Sequence, residues 1–434
     1  MTSVRPRPIG RVPATALSTP HFLLLYAAML TTAAGNTALQ SVLPSIGRAI
    51  GIADFWVALA YTSSALLWVL LARYWADKSD RHGRKALTLL GIGGFIVSTL
   101  LCGVALYAGL AGMLGAAATF VLFGLFRSIY GILGCATPSA TQAYLASRTR
   151  RSGRVAALSA LSSSFGLGTI IGPAIAPLFV LPLIGLSGPL FAFAAFGVFV
   201  FIAVQLWLPD DRLERRIGRG AAMSYPSQAT MPTGSSVVAA TAPRDRRKRL
   251  RWNDPRIRRW IVAGVIAGHA QAAALTCIGF LVIDRLKLPP LGSEGPIAIV
   301  MMAGASATLA AQWGLIPRLN ATPPALIRWG AGIAAVGLVA TMFAGDLYGL
   351  TIGFALASVG FGLTRPGFTG GASLAVPLAE QGAVAGVITA ANGMSFVAAP
   401  AVGVALYTLD PRLPFAASAL LLAWLAASGL QRRP

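Results

Sequence analysis

In this chain of 434 residues, Arg127 is the residue whose type and position most invite chemistry. It stands about fourteen residues into an apolar run that starts near Leu114, roughly 20 Å of helical rise from one end. A guanidinium stays charged in a protein and offers five donors in a planar fork. At that depth it either faces a water-filled cavity or snorkels to the nearer surface. Arg365, beside Pro366 near the end of a later run, admits the same two readings. His269 is the one histidine inside such a run and shares a helix face with Thr276. It is either a hydrogen-bonded packing group or a cavity group that titrates near neutral pH. Asn36 and Gln40 form an i, i+4 pair, and Gln271, Gln312 and Asn392 are further uncharged groups that need partners in lipid. None of the 13 Asp and Glu lies inside an apolar run. Any group that takes up and releases protons is therefore His269, a carboxylate at a helix mouth (Asp284 or Asp54, with Asp284 favoured), or none. The residues suggest no metal cluster, phosphate loop or nucleophile–base pair. Neither a cofactor nor an enzymatic reaction is expected.

These side chains sit in long apolar runs. The chain is 56% hydrophobic and only 11% charged, with 48 glycines and a mean hydropathy of +0.71. An ordinary soluble domain is about 25% charged. Runs of about 20 apolar residues are long enough to cross a bilayer as helices, and twelve can be placed. They begin near Phe22, Phe55, Ala86, Leu114 and Val155, with a sixth ending near Leu208, and again near Trp260, Pro296, Trp329, Leu347, Ala383 and Pro414. The first follows a basic amino-terminal stretch and reads as a helix rather than a signal peptide, because no convincing cleavage site follows it. Cys102, Cys135 and Cys277 fall in these runs and read as small packing residues.

The net charge of +22 does not call for nucleic acid. With alternating helices, 29 of the 35 Lys and Arg share one side, four lie on the other, and two (Arg127 and Arg365) lie within helices. That asymmetry predicts a cytoplasmic basic side that also carries both termini. The organisation expected is a tail over residues 1–20, six helices over 21–208, a basic linker over 209–256, and six more helices over 257–431. The linker suits contact with anionic membrane lipid. A shift of 229 positions lays 143–147 (AYLAS) on 372–376 (ASLAV), which fits parallel repeats of six helices.

The ten residues Ala76 to Lys85, ADKSDRHGRK, form a charged turn between two apolar runs. Within it, Asp80-Arg81-His82-Gly83-Arg84-Lys85 resembles the D-R-x-G-R-R/K loop between helices 2 and 3 of the major facilitator superfamily. Other stretches carry the same resemblance. Leu43-Pro44-Ser45-Ile46 is similar to the end of helix 1 in drug-exporting members. The segment from Arg127 to Gly134 is similar to the helix 4 motif R-x-x-Q-G-x-G/A, with Tyr130 in place of glutamine. Gly168 to Pro177 is similar to the exporter motif of helix 5, with Gly168, Gly172 and Pro173 in place and Ala176-Pro177 where two glycines are usual.

The resemblance implies an all-α polytopic membrane protein of two six-helix bundles working by alternating access. It implies a multi-pass protein of a bacterial inner membrane, acting as a monomer on a small-molecule substrate. Its cavity would draw on Asn36, Gln40, Arg127, Tyr130, His269, Gln271, Arg365 and Asn392. Asp80, Arg81, Gly83, Arg84 and Lys85 would form the conformational loop. The expected activity is export of a small molecule or drug, coupled to protons. The alternatives are an importer or facilitator of a small anionic metabolite, favoured by Arg127, and a non-transporting receptor or scaffold.

Overall fold

A computed structural model describes residues 18–149, 154–210, 251–319, 321–377 and 380–428. The described residues form twelve helices. The first six are α1 (Thr19–Ile50), α2 (Asp54–His82), α3 (Arg84–Leu110), α4 (Ala116–Leu145), α5 (Arg154–Ile175) and α6 (Gly188–Trp207). The second six are α7 (Arg258–Leu286), α8 (Glu294–Leu319), α9 (Pro323–Phe343), α10 (Leu347–Leu374), α11 (Gln381–Leu409) and α12 (Leu413–Ser428). Ten are long and apolar enough to cross a membrane, and α5 and α12 carry shorter apolar segments. Most of the linker, residues 211–250, lies outside the described residues.

The helices run longer than the apolar runs alone predict. The first extends past Leu43 through Pro44 to Ile50, where Gly51 closes it at φ 82°. A proline inside a membrane helix is tolerated because neighbouring groups take over the freed backbone positions. The charged turn after the second run is also a correction. Residues 76–82 contain no helix breaker, and α2 continues through them to His82. The change of direction falls on Gly83 alone, at φ 99° and ψ 142°, before α3 starts at Arg84. A side chain at that φ is strained, so the glycine in this motif is a backbone requirement. The connection before the run at Trp329 is short in the same way, since α8 ends at Leu319 and α9 begins at Pro323.

Two bundles result, α1–α6 and α7–α12. They meet where α2 packs on α11, α5 on α8, and α1 on α7 and α8. Within the first bundle, α1 and α5 lie close along Gly168 and Gly172. A Cβ on Gly168 would stand 2.7 Å from Ala33 Cβ and 2.8 Å from the Leu30 carbonyl oxygen. Thr37 Oγ1–H donates to the Gly168 carbonyl across this seam at 3.2 Å. Small residues at such a seam let membrane helices approach closely. A Cβ on Gly172 would clash with the Ala34 carbonyl and Thr37 Oγ1, neither of which has room to move. Gly172→Leu is expected to lower stability by about 1–3 kcal/mol or more through overpacking. A lower thermal midpoint in detergent would show this, and an unchanged midpoint would mean the seam can spread.

Candidate functional site

Arg127 lies near the level of the middle of α1, in the interior of the first bundle, and is only 4% exposed. Its Nη2 donates to Asn36 Oδ1 on α1. Its Cζ lies 5.4 Å from the ring centre of Tyr61 on α2 and 4.7 Å from that of Tyr130 on α4. Trp68 and Phe95 pack edge-on to Tyr130 at 5.2 and 5.8 Å. The snorkelling reading fails here, because the side chain turns inward onto aromatic faces. Cation–π contact offsets part of the cost of burying the charge. Among the described residues no carboxylate pairs with Arg127, and its Nε–H has no hydrogen-bond partner.

The backbone at this point departs from the α-helix. Residues Tyr130–Gly134 form a π-helical segment, as Ala310–Leu315 do in α8. Such wide turns free carbonyls from the helical ladder and recur at functional sites. Trp75 Nε1–H donates to the Ile132 carbonyl in this segment at 2.6 Å. Gly131 allows α4 to approach α2 closely, since a Cβ there would stand 2.5 Å from the Ser64 carbonyl oxygen. The segment thus places Tyr130 beneath Arg127. Periodicity along the sequence carries no signal for it.

A narrow cleft, partly open to its surroundings, lies between the bundles. Thr37 and Thr169 line it from the first bundle. Gln271, Thr308, Ser358, Phe354 and Phe361 are among its lining from the second. Thr37 is the residue after Asn36, so the cleft adjoins the Arg127 cluster on α1. Of the expected cavity residues, Gln271 lines the cleft. His269, Arg365, Asn392 and Gln40 do not, although Arg365, Asn392 and Gln40 are buried. His269 is half-buried and its Nδ1–H donates to the Val265 carbonyl of its own helix at 2.8 Å, the geometry of a packing histidine.

Sequence reasoning missed the polar cluster on the face opposite the amino-terminal end of α1, here called the far face. Arg48 on α1 donates through Nε and Nη2 to Asp54 at 3.2 and 2.8 Å. It also donates through Nη1 and Nη2 to Asp284 on α7, the latter bond being 3.0 Å. Tyr407 O–H on α11 donates to the same carboxylate at 2.5 Å. The Phe280 ring lies 5.6 Å from Arg48 Cζ, and the hydroxyls of Ser45 and Ser293 share a hydrogen bond of 2.7 Å. Seven residues, from α1 and α2 of the first bundle and from α7, α11 and the turn before α8 of the second, thereby gather at the interface. Asp54 and Asp284 were singled out as isolated helix-mouth acids, yet one arginine holds both. The readable signal was opposite charge at neighbouring helix ends.

On the near face, which carries the basic segments, Lys85 Nζ donates to the Gln205 carbonyl at 2.8 Å and fastens α3 to α6. Arg84 starts α3, and its carbonyl accepts from Thr88 at 2.9 Å. The side chains of Asp80 and Arg81 lie outside the described residues, as do those at the start of α11. Arg256 pairs with Asp254 at 2.8 Å and with Glu380 at 2.9 Å, joining the approach to α7 with that to α11. Its guanidinium holds the Asp254 carboxyl below the usual range.

The family model of the Major Facilitator Superfamily matches residues 25–400. The chain belongs to that family, and ten of its described helices are long and apolar enough to cross a membrane. It is 29% identical over 197 residues to the tetracycline resistance protein, class B, of Escherichia coli, covering 43% of each chain. It is 28% identical over 187 residues to the multidrug resistance protein MdtG of Proteus mirabilis (strain HI4320), covering 42% of each. The matched part thus spans less than half the length of these relatives. A solved bacterial homolog of the human lysosomal transporter Spinster superposes with a TM-score of 0.68 at 13% identity, over 95% of this chain and 96% of that one. That likeness concerns the fold.

Proposed function

We propose that the protein exports small organic molecules across a bacterial inner membrane by alternating access, driven by the proton gradient. In this reading the near face is cytoplasmic, both termini lie there, and the monomer is the working unit. The tail takes residues 1–20, the first bundle 21–208, the basic linker 209–256 and the second bundle 257–431. The observation that carries the reading is the cleft between the bundles. Both bundles line it, and none of its described lining side chains is charged. Hydroxyls, one amide and aromatic faces suit an amphipathic organic molecule. Rocking one bundle against the other would expose such a cleft to each face in turn.

Export is supported by the helix 5 motif and by relatives named for resistance. Coupling would run through Asp284 or Asp54, which share Arg48, or through His269. Protein in liposomes, given a broad panel of small molecules and a pH gradient of either sign, tests the reading. Directional movement of at least one compound that reverses with the gradient is expected. Movement that ignores the gradient would remove proton coupling. No movement of any compound would overturn the export reading.

The charged stretch takes a conformational role in the same scheme. Asp80, in the last turn of α2, would face the amino-terminal end of α11, where free amides favour an anion. Asp80→Asn is expected to leave membrane levels intact, slow transport, and enlarge the population open at the near face. Spin-label distances across that face check this. An unchanged distribution together with wild-type turnover would remove the lock assignment.

A further inference from the structure

We propose that Arg127 binds one negative charge, a singly charged anion that the transport cycle brings to the first bundle. The proposal rests on the transport reading for the route by which such a ligand arrives. Arg127 is buried, positively charged, and paired with no carboxylate among the described residues. Its Nη2 meets one neutral acceptor, Asn36 Oδ1, and its Nε–H meets none. The nearby groups are also rich in unspent donors. Tyr61 O–H and Trp68 Nε1–H are buried without partners, Tyr61 against the guanidinium and Trp68 against Tyr130.

A buried charge with its donors unspent is costly, and the cost falls away when a complementary charge arrives. One guanidinium balances one unit of charge. A dianion would leave an excess charge in the same apolar surroundings. The aromatic wall at this point is Tyr61 and Tyr130 against the guanidinium, with Trp68 and Phe95 packed on Tyr130. Such a wall suits the flat apolar body of an organic carboxylate, although a free halide offers the same charge. Asn36 sits at the same level of α1 as cleft-lining Thr37, so Arg127 lies at the depth of the substrate path. The π-helical segment at Tyr130–Gly134 is a second, independent departure from regular structure at this place.

The test uses the full-length protein in detergent, with thermal unfolding followed by intrinsic fluorescence. Sodium benzoate, its neutral counterpart benzamide, and sodium chloride are compared at one ionic strength. Ligand that binds only the folded state raises the midpoint with concentration. Benzoate is expected to raise it, benzamide is not, and Arg127→Gln is expected to lose the response. Arg127→Lys keeps the buried charge, and serves if the glutamine variant does not fold. It is expected to weaken benzoate binding roughly tenfold or more, through loss of the planar fork. A larger response to benzoate than to chloride assigns an organic carboxylate. Equal responses that need Arg127 uphold the site and assign an inorganic ion. No response to either salt, or an equal response from Arg127→Gln, overturns the proposal. The two readings fail separately. Transport of uncharged compounds with no anion response leaves export standing, and an Arg127-dependent anion response without any transport overturns export alone.

Discussion

Arg127→Ala is expected to abolish transport while the protein still reaches the membrane and folds. The side chain is 4% exposed, and its guanidinium rests on the rings of Tyr61 and Tyr130 while bonding Asn36. An arginine at mid-depth costs about 2.5–3.5 kcal/mol on insertion scales. Only part of that is offset by the cation–π contacts, worth about 2 kcal/mol when desolvated. Removing the charge should therefore leave insertion no worse, while truncation leaves a cavity among Tyr61, Tyr130 and Asn36. Function should suffer far more than stability. Arg127→Lys is expected to recover little, because a point charge on a flexible stem cannot reproduce the fork. Arg365→Ala, at a buried position that does not line the cleft, should stay partly active. Liposome transport measured at matched membrane levels decides it. Wild-type rates from Arg127→Ala would make the residue a structural strut.

The second large effect is expected at the far face. Arg48 bonds Asp54 within its own bundle and Asp284 in the other, and Tyr407 completes the shell around Asp284. Asp54 is 13% exposed and Asp284 36%, so solvent screens the inter-bundle arm more than the local one. Breaking that arm with Asp284→Asn is expected to cost the closed state about 1–2 kcal/mol, between an exposed and a buried charged hydrogen bond. That favours the far-face-open conformer by roughly five- to thirtyfold. Arg48→Asp should be worse, since it brings three carboxylates together. The double reversal Arg48→Asp with Asp284→Arg sets one arginine between two acids again and should recover much of the loss. Label distances between the far ends of α1 and α7 give the populations, and the cycle of variants isolates the pair. Strict additivity of the two reversals would show that Arg48 and Asp284 do not act together.

Much of the architecture could be read from the residues, because the bilayer demands long apolar runs and punishes charge within them. The twelve runs follow from that constraint, whereas Gly83, Gly168 and Gly172 stand out through their resemblance to family motifs. Helix ends were less legible. Pro44 and the charges of residues 76–82 look like terminators, yet a membrane helix absorbs the first and a water-facing helical extension the second. In the site, Asn36, Arg127 and Tyr130 come together and Gln271 lines the cleft, since depth on a helix is readable from spacing. Tyr61 was not legible, because nothing in an apolar tyrosine marks it as the partner of a cation on another helix. The Arg48 cluster was hidden for the same reason. Its members are 6, 236 and 123 residues apart along their bonded pairs, and only the packing of α1 on α7 and α11 assembles them.

In the proposed cycle the bundles separate at the far face in every turnover. The direct measurement is a reversible cross-link in place of the hydrogen bond between Ser45 and Ser293, whose oxygens lie 2.7 Å apart. Cysteines at both positions fall within the range that a disulfide bridges. The native Cys102, Cys135 and Cys277 are all buried and free, and serve as the background control. Oxidation of Ser45→Cys/Ser293→Cys is expected to reduce liposome transport to background, and a reductant to restore it. Wild-type transport by fully cross-linked protein would contradict separation of the bundles at this face.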